Sequence, residues 1–521
     1  MARDKQFTIK IESIMGGQSA FQNFAVKGQF GDSLALDPDL PATSGDPRAS
    51  GFPVPVPSTK VSSTTITNPP LWIIPNPKRA WVHVYDSGGK VYSMTGAGVV
   101  VAYGTTLTAA SGNGSAYYDN YMYYATNTDI TRHGPLNGAR TVNQVYWTST
   151  LSKTALVNTT YPTAQRPAIT YPNHPMHVHE PDNKLYFGDV VGNQGVIHFI
   201  KTSKTTVEGD TNDGSTYNAL DLPYGWWPTD IESLGTDLVI SVFEGNVAGN
   251  FAGGRSGLVI WDTLSASWQR FMPMPDEYIS ALLNVNGVIY IFSGNLNGTG
   301  VRISVLAGGY TVTPLGFLQD SCPPFPGAVD HKINRIIFGG FADHLNDYGC
   351  VWAMGSKARG FENSLFNIMR ATATTGTGTG VTALLYAESS GFLTPKQFAG
   401  WSDGSAYGID LPNTTYGRSI LRSDTFRVGE PFKITEVHIP LAQAVGANMT
   451  LIPTLYMDDR SSTTALTTIN NTNYTASERH IWYPNVEVYG KNNFMFELKL
   501  DGTALLTPGL PIIIKGEYLI E

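Results

Sequence analysis

Residues 279–292 read ISALLNVNGVIYIF. An apolar run, Ile279–Leu283, is followed by the turn Asn284–Gly287 and then by the β-branched and aromatic run Val288–Phe292. Asn-Gly between two such runs is a strong hairpin signal, because Asn and Gly accept the positive φ that a tight turn requires. Related pairs recur along the chain. Met176–His179 leads through Glu180–Lys184 into Leu185–Phe187, and Ile231–Leu234 through Gly235–Asp237 into Leu238–Phe243. Ala328–His331 leads through Lys332–Arg335 into Ile336–Phe338. The second strands begin near Leu185, Leu238, Val288 and Ile336, a period of about 50 residues, in the range of repeat architectures. A third strand follows at Gly257–Asp262 and Gly300–Leu306, and an outer one at Ser267–Phe271 and Tyr310–Leu315.

Four antiparallel strands per unit predict the blades of a β-propeller, in which radial packing hides most sheet edges. Weaker units fall at Ala80–Tyr103, Tyr117–Thr131 and Val381–Leu411, which brings the expectation to about seven blades. No segment shows a convincing helical period, and Ser364–Arg370 is the best short helical candidate. The competing architectures are a β-helix, which would show shorter and stricter coils, and stacked sandwiches.

Outward from this body the pattern changes on both sides. Residues 1–77 predict an extended N-terminal arm. Phe7, Ile9 and Ile11 alternate with polar residues as a short strand, and Pro53, Pro55 and Pro57 exclude a helix or a central strand. Leu34, Leu36, Leu40, Phe52 and Leu71–Ile74 supply apolar anchors, so the arm is expected to dock on its own molecule or on a neighbour. The propeller is assigned to 78–414, with a boundary near Asn413–Arg418. Residues 415–521 predict a β-sandwich from the runs Ile434–Ile439, Met449–Met457, Arg479–Tyr483, Phe494–Leu500 and Pro511–Ile514. Phe494, Phe496, Leu498 and Leu500 alternate with Met495, Glu497 and Lys499, as in a half-buried strand. Asp458–Thr464 and Thr467–Thr475 are expected as loops. The fold class is therefore all-β.

Composition narrows the function. Charged residues make up only 15% of the 521 residues, against about 25% in typical domains, which suits a surface covered by neighbours as well as an ordinary all-β surface. A net charge of −8 with no dense Lys/Arg cluster excludes nucleic acid as a main, sequence-specific partner. Cys322 and Cys350 form neither a redox pair nor a zinc set, and two buried thiols are expected. No apolar run suits a signal peptide at the N-terminus or a membrane span, so no membrane insertion is expected. Asn-x-Ser/Thr triplets such as Asn158–Thr160 and Asn448–Thr450 are expected to carry no glycan.

Candidate chemistry is sparse. His174, His177 and His179 lie in NHPMHVHE, and on a strand His177 and His179 share a face at a spacing a metal can use. First strands line a propeller's channel, however, and polar residues are common there without a metal. Asp458 and Asp459 are loop neighbours, Asp37 and Asp39 lie in the arm, Asp86–Gly89 and Asp403–Gly404 are turns, and Asp210–Gly214 lacks the spacing of a calcium loop. The sialidase Asp-box, a nucleophile elbow, HExxH and a phosphate loop are all missing from the sequence. Tyr117, Tyr118, Tyr121, Tyr123, Tyr124 and Trp226–Trp227 either pack between blades or present stacking surfaces. No catalytic, cofactor-binding or metal residue is assigned, no cofactor is expected, and the chain is read as a non-enzyme.

The segments SILRSDTFRVGEPFKITEVHIPLAQAVGANMTLIPTLYMDD, TTINNTNY and NNFMFELKLDGT resemble the ends of structural proteins of tailed bacteriophages. MYYATNTDITRHGPL and HPMHVHEPDNKLYFGD are similar to blade segments of the same proteins, and GGQSAFQNFAVKGQF with LALDPDLP fits their arms. The resemblance spans most of the chain but holds no motif diagnostic of one role. It implies a viral structural protein, synthesised in the host cytoplasm and resident in the virion. Its place there would be the tail, as a nozzle or tail-tip protein with a β-propeller body. Its expected partners are other virion proteins, copies of itself in a ring, and a host-surface glycan. The alternative is a carbohydrate-binding or glycoside-hydrolysing propeller acting on host glycans.

Overall fold

The computed structural model describes residues 6–11, 32–34, 36–37, 54–55, 57–61, 65–76, 81–102, 111–126, 130–134, 143–147, 158–160, 170–172, 174–191, 193–200, 216–245, 251–295, 300–319, 321–332, 335–342, 348–355, 363–371, 380–387, 395–416, 418–423, 425–441, 450–458, 462–466, 468, 480–482, 488–501 and 511–519. Among them the chain is strand throughout, apart from turns and one short 3-10 turn at Pro326–Ala328. It divides into two compact units, 60–351 with 371–411, and 1–59 with 352–370 and 412–521.

Among the described residues, seven four-stranded sheets follow one another along the chain. Their first strands are Pro70–Pro75, Ser111–Tyr118, Met176–His179, Trp226–Leu234, Tyr278–Val285, Val329–Lys332 and Gly380–Ala387. Each first strand lies against that of the next sheet, and the seventh lies against the first, so the strands close a ring. That ring makes the fold a β-propeller. Proline at both ends of Pro70–Pro75 is tolerated because a first strand is a sheet edge.

Burial between successive sheets holds the ring together. Val82, Val84, Tyr92 and Met94 of the first sheet share a core with Ala383, Phe398 and Ile409 of the seventh. Tyr85 and Val91 meet Met122 and Tyr124 of the second sheet, whose Tyr123 and Ala125 meet Leu185 and Phe187 of the third. Tyr186 and Ile197 pack on Ile240 and Trp261 of the fourth, and Val239 and Ile260 pack on Ile289 and Ile291 of the fifth. Phe292 meets Phe338 of the sixth sheet at 5.3 Å between ring centroids, and Gly339 lies against Val381 of the seventh. Full burial of one such side chain is worth about 1.5–3 kcal/mol.

A repeated local device sits inside this ring. Thr229, Ser280 and Thr382 each occupy a one-residue bulge in a first strand. Thr229 Oγ1 bonds Ser241 Oγ at 2.7 Å, Ser280 Oγ donates to Phe292 O at 3.2 Å, and Thr382 Oγ1 donates to Gly400 O at 3.4 Å. A bulge bends a strand and adds twist, and a buried hydroxyl needs a partner. Here the second strand supplies it.

The described strands of the segment expected as an arm belong to sheets. Pro70–Pro75 opens the first sheet, and Pro57–Val61 is the outer strand of the seventh, beside Tyr407–Tyr416. In the other unit, Gln6–Ile11 pairs with Ile512–Tyr518, and Asp32–Leu34 with Arg418–Arg422. Phe7 sits over Gly516, where a Cβ would stand 2.3 Å from its ring, and its ring meets Phe432 at 5.8 Å.

That unit carries a five-stranded sheet centred on Phe432–Ile439 and Ile512–Tyr518 and a six-stranded one centred on Asn493–Asp501. Phe432 of the first meets Phe494 of the second at 5.7 Å. Three expectations need correction. Ser462–Thr464, the end of the segment expected as loop, belong to the strand Ser462–Ala465 beside Thr450–Met457, because Thr463 and Thr464 suit a strand as well as a turn. Ser364–Arg370, the helical candidate, is a strand with six of its seven residues buried, since a short apolar run has no period of its own. Glu497, expected to face outward, is buried because Arg422 covers it, with Nη2 at 2.7 Å from Oε2. Most of Thr467–Thr475 lies outside the described residues. Cys322 and Cys350 are both buried thiols.

Candidate functional site

Three consecutive first strands bring polar side chains together. Met176–His179 in the third sheet, Trp226–Leu234 in the fourth and Tyr278–Val285 in the fifth line a cleft of about 550 Å³, which holds His177, Glu180, Glu232, Ser233 and Asn284. The hairpin turns after these strands place the groups. Gly235 takes φ +64° and Asn286 φ +54°, the left-handed geometry of tight hairpins.

His177 and His179 do share a face, and what they share is Ser233. His177 Nε2 is 2.6 Å and His179 Nδ1 is 2.7 Å from Ser233 Oγ. One hydroxyl has one proton, so one imidazole accepts it while the other donates its N–H to the oxygen. Each ring thereby directs a nitrogen at Ser233. His174 stands apart, buried, with Nδ1 donating to Gly188 O at 2.8 Å and lying 3.7 Å from Asp189. Burial lowers the pKa of all three histidines. Among the described residues no group of three or more His, Cys, Asp or Glu is placed to hold a metal.

Asp230 and Glu232, alternate residues of one strand, point toward the fifth sheet. Asp230 Oδ2 accepts the Leu282 amide at 2.7 Å and Oδ1 its neighbour Ile231 at 2.9 Å. Burial pushes the Asp230 carboxyl up to about 7 against those bonds. Glu232 is raised well above the ordinary carboxylate range by burial and then by the nearby Asp230, while the amides of Ser233 and Asn284 oppose the shift. Asn284 Nδ2 donates to Ser233 O. Side-chain acceptors thus bind the amides of the next first strand where no strand pairing exists, and Asp330 repeats the device on Tyr386 N at 2.6 Å.

Glu232 Oε2 lies 3.5 Å from His177 Nδ1, and the two side chains keep 19% and 20% of their surface open. Both therefore reach the cleft. The site offers an imidazole and a carboxyl whose charged forms burial opposes, a second carboxyl on Glu180, a hydroxyl and an amide.

The remaining candidates pack or shape turns. Tyr118, Tyr123, Tyr124 and Trp227 are buried, with Tyr85 and Tyr124 at 4.6 Å and Trp227 and Phe243 at 5.8 Å between centroids. Trp226 is half-buried against Phe271 at 4.8 Å. Asp86 accepts the amides of Gly88 and Lys90, and Asp403 those of Ser405 and Ala406. Asp458 accepts the amides of Lys491 and Asn492, tying its turn to the strand Asn493–Asp501. Asp39, Asp459 and Asp210–Gly214 lie outside the described residues. The sequence reading missed Asp230, Glu232, Ser233 and Asn284. Its available signal was TDIESL, in which two acids alternate on an otherwise apolar strand.

No family model matches the chain, and no curated protein does. Among solved structures it is similar to the Dos1 propeller at 10% identity and TM-score 0.43, over 69% of this chain and 95% of that one. The N-terminal domain of Nup159 aligns at 9% identity and TM-score 0.38, over 69% and 98% of the two chains. The computationally designed Ika8 protein aligns at 12% identity and TM-score 0.38, over 69% and 100%.

Proposed function

We propose that this chain is a non-enzymatic structural component of a tailed-bacteriophage particle, part of the tail as a nozzle or tail-tip protein. In this reading it is made in the host cytoplasm, assembles with other virion proteins and with copies of itself in a ring, and touches the host surface. The observation that carries the reading is the inlaid N-terminal segment. Pro57–Val61 completes the last sheet of the propeller, and Gln6–Ile11 pairs along Ile512–Tyr518 as the edge strand of its sheet. Such inlays suit a body that holds its neighbours without rearranging. The low charge and the resemblance of the C-terminal and blade segments support the same reading. So do exposed apolar side chains at the outer turn of the fourth sheet, Leu264 at 88% and Trp268 at 36% exposure, since apolar surface marks contact sites when it clusters. Mass spectrometry of purified particles tests the proposal: the chain is expected at stoichiometric level, and its consistent absence refutes membership.

The second reading, contact with a host glycan, is favoured by the polar cleft at His177 and Glu232. Glycoside hydrolysis needs two carboxyl groups facing each other across the sugar; Glu180 and Glu232 both line the cleft, whereas Asp230, the neighbour of Glu232 on its strand, is buried and bonded to two backbone amides.

A further inference from the structure

We infer that the cleft between Met176–His179, Trp226–Leu234 and Tyr278–Val285 is a binding site for a neutral, hydroxyl-rich ligand, a saccharide unit. This deepens the host-glycan reading and is independent of whether the chain belongs to a particle.

Four observations converge. The cleft, at about 550 Å³, lies inside the range of small-ligand pockets, roughly 300–1,000 Å³. Among the described residues no lysine or arginine lines it, so it lacks the cation that a phosphate or sulfate ligand requires. The groups reaching it include His177 and Glu232, and burial opposes charge on both. A bound cation would need several ionised oxygen ligands, and of the two carboxyls lining the cleft burial opposes the charge on Glu232. Sugar hydroxyls both donate and accept, which matches a cleft lined by an imidazole, carboxyls, a hydroxyl and an amide. Val178 and Pro181 add apolar lining for the C–H face of a pyranose.

The cleft is also preorganised. Ser233 is held between two imidazoles, His177 lies between Ser233 and Glu232, and Asn284 is fixed on Ser233 O. A ligand then orders few side chains on binding, which removes one of the main costs of association.

The test uses the full chain with glucose, galactose, mannose, rhamnose, N-acetylglucosamine and their short oligomers. Binding is read by saturation-transfer NMR and mapped by hydrogen exchange. At least one sugar is expected to bind and to protect amides in 176–181 and 230–235. Glu232→Leu and His177→Ala should each weaken it about tenfold, by removing a neutral hydrogen-bonding group. Glu232→Gln, which is neutral and keeps both a donor and an acceptor, should hold affinity within about threefold. Thermal melts show whether each variant folds, and the exchange map needs no variant. A sugar that binds but protects amides elsewhere overturns this site and leaves the glycan reading standing. Silence across the whole panel overturns both.

Discussion

Asp230→Ala should be strongly destabilising in acid and nearly neutral in base. The wild-type carboxyl accepts the Leu282 and Ile231 amides at 2.7 and 2.9 Å. Alanine leaves both buried without an acceptor, at about 1–3 kcal/mol each when fully desolvated. The carboxyl carries an opposing charge cost. Its pKa rises from 3.8 to about 7 on burial, so the folded state holds the proton more tightly than the unfolded chain does. Below pH 3.8 the contribution is intact, and it declines as pH rises through about 7. At about 1.4 kcal/mol per pH unit the decline totals about 4 kcal/mol, comparable to the loss of the two acceptors. Removing Asp230 also lessens the upward push on Glu232, which acts in the same direction. Urea unfolding of both proteins at pH 4.5, 7 and 9 measures the gap, and exchange of the Leu282 amide locates it. A gap that shrinks by several kcal/mol is expected. A gap that widens with pH would mean the carboxylate ion, held by the two amides, is the stabilised form.

Other perturbations follow from single contacts. Glu497→Gln leaves Arg422 buried at 2% exposure without its anion, and should lower stability by about 3–5 kcal/mol; the pair Arg422→Met with Glu497→Leu should cost far less by the same denaturation assay. Gly327→Ala places a Cβ 2.0 Å from Leu71 O, so the melting temperature should fall, whereas Gly287→Ala meets no atom and costs only its φ of +79°. Deleting residues 1–15 uncovers the strand Ile512–Tyr518, and light scattering should show edge-driven self-association. Chelator should leave the melting temperature unchanged, because His177 and His179 each direct a nitrogen at Ser233; a fall would reinstate a metal there.

The hairpins were legible because their signal is local. ISALLNVNGVIYIF carries its turn and both strands within 14 residues, and apolar runs flanking Asn-Gly report a hairpin directly. The bulges at Thr229, Ser280 and Thr382 left a fainter trace, a hydroxyl residue recurring at spacings of 51 and 102 residues. What escaped is what only long-range pairing creates. Pro57–Val61 reads as part of an extended docking arm until Tyr407–Tyr416 offers it an edge. Glu497 reads as solvent-facing until Arg422 arrives from 75 residues away. The site depends on the same non-local geometry: Glu232 and His177 are ordinary polar residues until adjacent sheets bring them within 3.5 Å.

An electron cryomicroscopy map of the isolated chain at side-chain resolution examines the ring most directly. It should show seven four-stranded sheets about one axis, with Gly400 against Pro70 at the seam and 57–61 as the outermost strand of the last sheet. Sheets stacked in a row, or a seam left open with 57–61 paired elsewhere, would contradict it.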